Sequence, residues 1–296
     1  MTIGIDEIAT ETQECSGYTM FSLPDAQVAK FATSAKQILD RHPELHSFHG
    51  KKYKQHFEPA YREFLQLIRE TTGVSLQAGC ANSLLARSAL EELDGYADRL
   101  LSTSLSKARV PLNPALKIVK PYALRLFVLA RDLRELGPRI VATIHMDESE
   151  ELALLSTVTH SVGHVPIRAG LLLKAIYNTF AQKRYPNAPQ LLDDGVHVMK
   201  DNKSFLIQAA DVLGNFSMNH VFVRVGKGSK SREAKARLIE EVFGDLIDPI
   251  DLAGTITLRG EDLVLAPGLT NLRFFLGWIG VKPSPDHPPK GPLDKN

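Results

Sequence analysis

The sequence predicts an α/β protein: a mixed β-sheet flanked by helices, with a helical insertion in its middle. Three observations carry this. Apolar, β-branched runs alternate along the chain with segments of helical period instead of being segregated from them. The first two runs are close enough to form a hairpin and so to pair antiparallel, whereas the later ones are separated by helices and are free to pair in parallel. Two runs, "TIGIDE" and "RIVATIHMDE", end on adjacent acids, Asp6-Glu7 and Asp147-Glu148.

The elements follow in order. Residues 2–7 read as a strand, residues 10–17 as a polar turn or loop, and residues 18–23 as a second strand. Pro24-Asp25 opens a helix reaching residue 40. The polar connector "HPELHSFHG" (42–50) leads into residues 53–70, where Phe57, Tyr61, Phe64, Leu65 and Ile68 recur at helical spacing. Residues 74–80 are a third strand. Helices are expected over 84–105 and 114–136, separated by the Pro-containing "VPLNP". Residues 139–145 form a strand, 150–159 and 169–183 helices, and 196–199 a short strand after the loop "RYPNAPQLLDDG". Residues 205–225 form a long apolar helix and 231–244 a basic one. From Lys282 the chain is Pro- and Lys-rich with little to bury, which predicts disorder over 282–296. There is no internal repeat.

Composition excludes several classes. The chain has 296 residues, 44% hydrophobic and 23% charged, ordinary for a globular protein long enough to bury a large core. Lys plus Arg (35) nearly cancels Asp plus Glu (34), so overall charge does not select a partner, and any basic surface must come from clustering. Cys15 and Cys80 fit no metal-ligand spacing and read as free thiols of a reducing compartment. The sequence lacks a signal-peptide pattern and an apolar run of about 18 residues, so a cytoplasmic protein that does not enter a membrane is expected.

The chemistry-bearing residues are acids. In "FLIQAADVLGNFSMNHVF", helical spacing puts Asp211 on one face with Ile207, Ala210, Gly214, Met218 and Phe222, flanked by Gln208, Asn215 and Asn219. A carboxylate in an apolar stripe costs several kcal/mol unless it is paired, hydrogen-bonded or bound to a cation. It is therefore either a salt-bridged helix-edge residue or a ligand delivered to the sheet. The strand-end acids pose the same choice between a solvated terminus and a site, because the carboxyl edge of a sheet is where α/β proteins place their sites. Alternation sends Asp6 and Glu7 to opposite faces. Carboxylates converging from two strands and a helix suit a hard divalent cation, and paired cations suit in-line phosphoryl displacement. The stretch "VRVGKGSKSREAKAR" concentrates Arg224, Lys227, Lys230, Arg232, Lys235 and Arg237 against Glu233 alone. It reads as a solvated basic face or a phosphate-contacting one. "VGKGSKS" lacks the glycine spacing of a phosphate-binding loop. His160 and His164 have no glutamate between them, and their Gly and Pro neighbours disfavour a helical zinc pair.

"IGIDEIAT", then Glu44-Leu45-His46, then a strand ending on Asp147-Glu148, then Ile207-Gln208-Ala209-Ala210-Asp211 together resemble the family catalogued as domain of unknown function 3800, across residues 1–220. The family shows Ser where this chain has Ile8. The resemblance implies an RNase H-like five-stranded mixed sheet over residues 1–225, with the helical insertion at about 84–136 and a C-terminal extension at 226–281. It implies a catalytic, metal-holding set of Asp6, Glu44, Asp147 and Asp211 carrying one or two Mg2+ or Mn2+. Glu7, His46 and Gln208 would support that set, with His46 orienting Glu44 or relaying a proton. The implied reaction is hydrolysis of a nucleic-acid phosphodiester bond, with Arg224, Lys227, Lys230 and Arg232 contacting RNA or DNA. The alternative is an inactive module of the same fold that binds nucleic acid or a protein.

Overall fold

A computed structural model of the chain describes residues 1–9, 15–71, 74–82, 142–224, 228–244, 255–259, 262–266 and 274–279, with scattered positions between 101 and 133. The architecture is α/β. Its mixed open sheet is centred on β1 (Thr2–Ala9). On one side β1 pairs antiparallel with β2 (Cys15–Leu23), from Thr2↔Leu23 to Ala9↔Ser16. On the other it pairs in parallel with β4 (Ala142–Asp147), which pairs in parallel with β5 (Leu191–Met199). β3 (Val74–Asn82) continues the sheet antiparallel to β2, and an edge strand β8 (Phe274–Ile279) follows it, giving the order β5-β4-β1-β2-β3-β8. The sheet thus carries a strand beyond the five expected. A separate hairpin pairs β6 (Thr255–Arg259) with β7 (Asp262–Ala266).

Six helices lie among the described residues: α1 (Asp25–Arg41), α2 (Glu58–Glu70), the single turn α3 (Glu150–Ala153), α4 (Ala169–Arg184), α5 (Phe205–Arg224) and α6 (Lys230–Phe243). Strand alternation divides them between two cores. Ile3, Ile5, Met20, Ala142, Ile144 and Met146 face one core with Leu172, Ile176, Tyr177 and Phe180 of α4, joined by Leu101, Leu105 and Leu126. Phe21 and Leu23 face the other core with α1, α2, α5 and α6, so α6 belongs to the same packed body as the helices before it. This second core is threaded by aromatics. Phe48 stacks on Phe64 at 4.0 Å between ring centres and meets Tyr61 edge-on, and Tyr61 in turn stacks on Phe216. Phe48 is the connector residue that nails the loop after α1 to α2.

α5 crosses β1 at Gly4. A Cβ there would lie 2.3 Å from the carbonyl carbon of Leu206, so only glycine permits this approach. Thr2, Gly4 and Asp6 consequently form the β1 face beneath α5.

Several boundaries differ from the sequence reading: β1 runs on to Ala9, β2 begins at Cys15 inside the expected loop, and the helix expected over 150–159 is the single turn α3 followed by a 3-10 turn over Leu154–Thr157. β4 begins at Ala142 and runs through Asp147, which makes that acid the last residue of the strand and not one beyond it. β5 begins at Leu191, inside the expected loop. The Asn178 side chain of α4 donates to the Leu191 carbonyl (2.9 Å) and accepts from its N–H (2.9 Å), mimicking a neighbouring strand. The helical insertion expected over 84–136 lies for the most part outside the described residues, as does the whole of 282–296. No helix among the described residues is long and apolar enough to cross a membrane.

Candidate functional site

The site is built at the carboxyl ends of the parallel strands. Register pairs Ile5 with Met146, so the next residues, Asp6 and Asp147, stand side by side on adjacent strands. Both lie on the sheet face opposite the buried Ile5 and Met146, the face that carries α5. Met199 pairs with Asp147 at the end of β5, and two residues further on the chain delivers Asp201 in a single 3-10 turn.

From the helix side comes Asp211, one and a half turns into α5. Its Oδ2 accepts from the N–H of Gly50 at 3.0 Å and lies 3.5 Å from His49 Nδ1. The same Nδ1 is 2.9 Å from Asp201 Oδ2. The connector is fixed to α5 and α2 at three further points. Phe48 N–H donates to Gln208 Oε1 at 2.9 Å, His49 N–H donates to the Tyr61 hydroxyl at 3.1 Å, and that hydroxyl donates to the His49 carbonyl at 2.8 Å. Gln208, fully buried, also donates through Nε2 to the Asp201 carbonyl at 3.2 Å. Gly50 is required at its position because a Cβ would fall 2.3 Å from Asn215 Cβ. Connector, β5 turn and α5 are thus one hydrogen-bonded unit around His49, whose side chain is 12% exposed.

Asp147, Asp201 and Asp211 are close enough to feel one another's charge. Burial pushes the Asp147 carboxyl above the usual carboxylate range. The negative charge of Asp201 adds to this, backbone N–H groups of Asp201 and Glu148 oppose it, and Asp211 raises it further. Burial pushes the Tyr61 phenol up to about 12, an effect that the Asp211 charge reinforces. Beside the acids, on the same face of β4, His145 Nδ1 lies 2.9 Å from Ser204 Oγ, and its imidazole is held below the ordinary histidine range by burial and by His197.

The expected residues fare unequally. Asp147 and Asp211 come together, Asp6 stands next to Asp147 by register, and Gln208 supports the assembly as expected, although it acts on the connector backbone. The side chain of Glu7 lies outside the described residues. Glu44 and His46 are exposed, and no hydrogen bond or ion pair joins either to the described residues. The position at Asp211 expected of that motif is taken by His49, three residues beyond His46, because the Phe48 anchor draws this part of the connector inward. Asp201 and His49 were not expected. Asp201 lies two residues past the end of β5, where the strand-end rule that singled out Asp6 and Asp147 could have found it, but no acid ends the strand itself. His49 carries no local signature, since its role depends on contacts with residues about 150–160 positions away.

The basic stretch is partly consumed by the fold. Lys235 is buried and its Nζ donates to Asn215 Oδ1 at 2.9 Å, while Arg237 pairs with Glu58 of α2 at 2.9 Å. Arg232 sets its guanidinium 4.7 Å over the Phe222 ring, and Lys230 is exposed. Lys227 and the side chain of Arg224 lie outside the described residues.

No protein-family model, curated protein or solved structure matches this chain. The oxygen donors Asp147, Asp201 and Asp211 are of the type a hard divalent cation takes, and their mutual repulsion is what such a cation relieves. Among the described residues, however, no three His, Cys, Asp or Glu side chains are arranged as a ready metal site. The His49 ring instead lies against both Asp201 and Asp211.

Proposed function

We propose that this chain is an RNase H-like, divalent-metal-dependent phosphodiesterase that hydrolyses nucleic-acid phosphodiester bonds at the edge formed by Asp6, Asp147 and Asp211. The observation that carries the reading is geometric: register sets Asp6 beside Asp147 at the ends of two adjacent parallel strands, and α5, which crosses that face, carries Asp211. Burial, then the charge of Asp201, raises the Asp147 carboxyl, and groups perturbed in this way gather at functional sites. The mixed sheet, with acids at the ends of two adjacent parallel strands and a third acid on the helix crossing them, supports the fold assignment. Mg2+ or Mn2+, when bound, supplies a more acidic water and neutralises charge on the phosphoryl oxygens. The chain's own residues supply the rest. Asp147 of β4, Asp211 of α5 and Asp6 of β1 would hold the ion through carboxylate oxygens, and exposed Glu44 stands on the connector that carries His49. Lys230 and Arg232 hold the phosphate backbone of the substrate.

One observation favours a second reading. Because His49 Nδ1 lies against both Asp201 and Asp211, the protein itself supplies a polar partner to two of the acids, as suits an inactive module that binds nucleic acid or a protein partner. Incubating the protein with single-stranded, duplex and RNA–DNA hybrid oligonucleotides, with Mg2+, Mn2+ or EDTA, separates the two. The catalytic reading expects cleavage with metal, none in EDTA, and background levels in Asp211→Asn. Cleavage that survives Asp211→Asn contradicts it. Binding without cleavage in any metal establishes the second reading.

A further inference from the structure

We propose that Ser47, His49 and Asp201 form a nucleophile–base–carboxylate triad that hydrolyses esters of carboxylic acids. Ser47 Oγ lies 2.8 Å from His49 Nε2, and His49 Nδ1 lies 2.9 Å from Asp201 Oδ2. These are the two contacts by which such a site is recognised: a nucleophile within reach of a base, and the base oriented by a third group. The tautomer follows from the surroundings. Nδ1 faces two carboxylates, Asp201 and Asp211, and therefore carries the proton. Nε2 faces the Ser47 hydroxyl and, at 3.5 Å, the Lys52 ammonium, both of them donors, and is left as the acceptor.

The arrangement is rigid. Phe48, between the nucleophile and the base, is locked into the aromatic core, and the peptide groups of 48, 49 and 50 are held by Gln208, Tyr61 and Asp211. Asp201 is itself oriented, its Oδ1 accepting from Asn202 N–H at 2.5 Å. Ser47 remains half-exposed, so a substrate can reach it.

The step balances without an outside reactant. Ser47 Oγ attacks the ester carbonyl carbon and its proton passes to His49 Nε2. Collapse of the tetrahedral adduct breaks the carbon–oxygen bond to the alcohol, which leaves with that proton. Water then repeats the sequence on the acyl-serine and releases the acid. Without a metal ion the carboxylates of Asp147, Asp201 and Asp211 repel an anion, so the metal-independent triad suits a neutral ester, whereas the phosphodiester reaction proposed above needs the cation. The backbone N–H groups of 48–50 are already engaged, so Lys52 is the donor placed to meet the developing oxyanion.

The test treats the full-length folded protein with a fluorophosphonate probe in EDTA and reads the adduct by intact mass and peptide mapping. The expected result is a single adduct per chain, on Ser47. It should be absent in Ser47→Ala and slowed on the order of a hundredfold in Asp201→Asn and His49→Gln, with circular dichroism showing each variant folded. Asp201→Asn, at a partly exposed turn, keeps the test informative if His49→Gln does not fold. An unmodified Ser47 in folded protein, or equal labelling rates in wild type and Asp201→Asn, overturns the triad. EDTA removes the metal-dependent reaction, so this outcome and that of the oligonucleotide assay are independent.

Discussion

Asp147 bears an electrostatic cost in the site. Its carboxyl is held above the ordinary value near 3.8 by burial and by its acidic neighbours, so the folded chain binds this proton more tightly than the unfolded chain does. The linkage sign follows. Its contribution to stability is fully present below the unfolded pKa and is lost as pH rises through the folded one. Wild-type protein at neutral pH therefore carries a penalty that Asp147→Asn removes. The variant should melt higher than wild type at neutral pH, with the advantage shrinking toward acid pH, as read by thermal melts across that range; a lower melting temperature at neutral pH would refute the assignment. Gln208 is the complementary case. It is 1% exposed and satisfies one backbone N–H and one backbone carbonyl, so Gln208→Leu strands both. Urea unfolding should show a loss of about 1–3 kcal/mol.

At the scale of elements, the site depends on how three segments are clamped together. Phe48 holds the connector by stacking on Phe64, and Phe48→Ala should cost about 3–5 kcal/mol and loosen His49 as well. Hydrogen exchange would report the second effect as faster exchange at Gly50 and His49, whose amides are donors to Asp211 and Tyr61. The helices beneath are tied by charge. Burial pushes the Glu58 carboxyl up, but the Tyr53 hydroxyl, Arg237 and Arg62 outweigh it and hold the group below its ordinary range. This depressed value stabilises above the unfolded pKa and fades as pH falls through the folded one. Glu58→Gln should therefore destabilise the protein at neutral pH by separating α2 from α6, and the difference from wild type should narrow in acid. An equal difference at all pH values would mean that packing, not charge, joins the two helices.

For the whole molecule, the α/β class and the strand-end acids were legible in the sequence because they rest on local patterns. Period-two runs gave β1, β2 and β4, helical spacing gave α1, α2 and α5, and the rule that sites gather at carboxyl strand ends gave Asp6 and Asp147. Asp211 was legible because a carboxylate in an apolar stripe demands a partner. What the sequence hid is long-range. β5 starts early because a side chain of α4 completes its edge. His49 is chosen over Glu44 and His46 because an aromatic anchor and a glycine let one side of the connector turn toward α5.

The central claim is that the acids at the ends of β1 and β4 and on α5 are a cation site. It is tested most directly by a crystal of the protein soaked in Mn2+ and measured at an anomalous wavelength. The account predicts a Mn2+ peak at about 2.1 Å from carboxylate oxygens of Asp147 and Asp211, with His49 drawn away from Asp211. A crystal saturated with Mn2+ that shows no peak there, and His49 still paired with both Asp201 and Asp211, would contradict it.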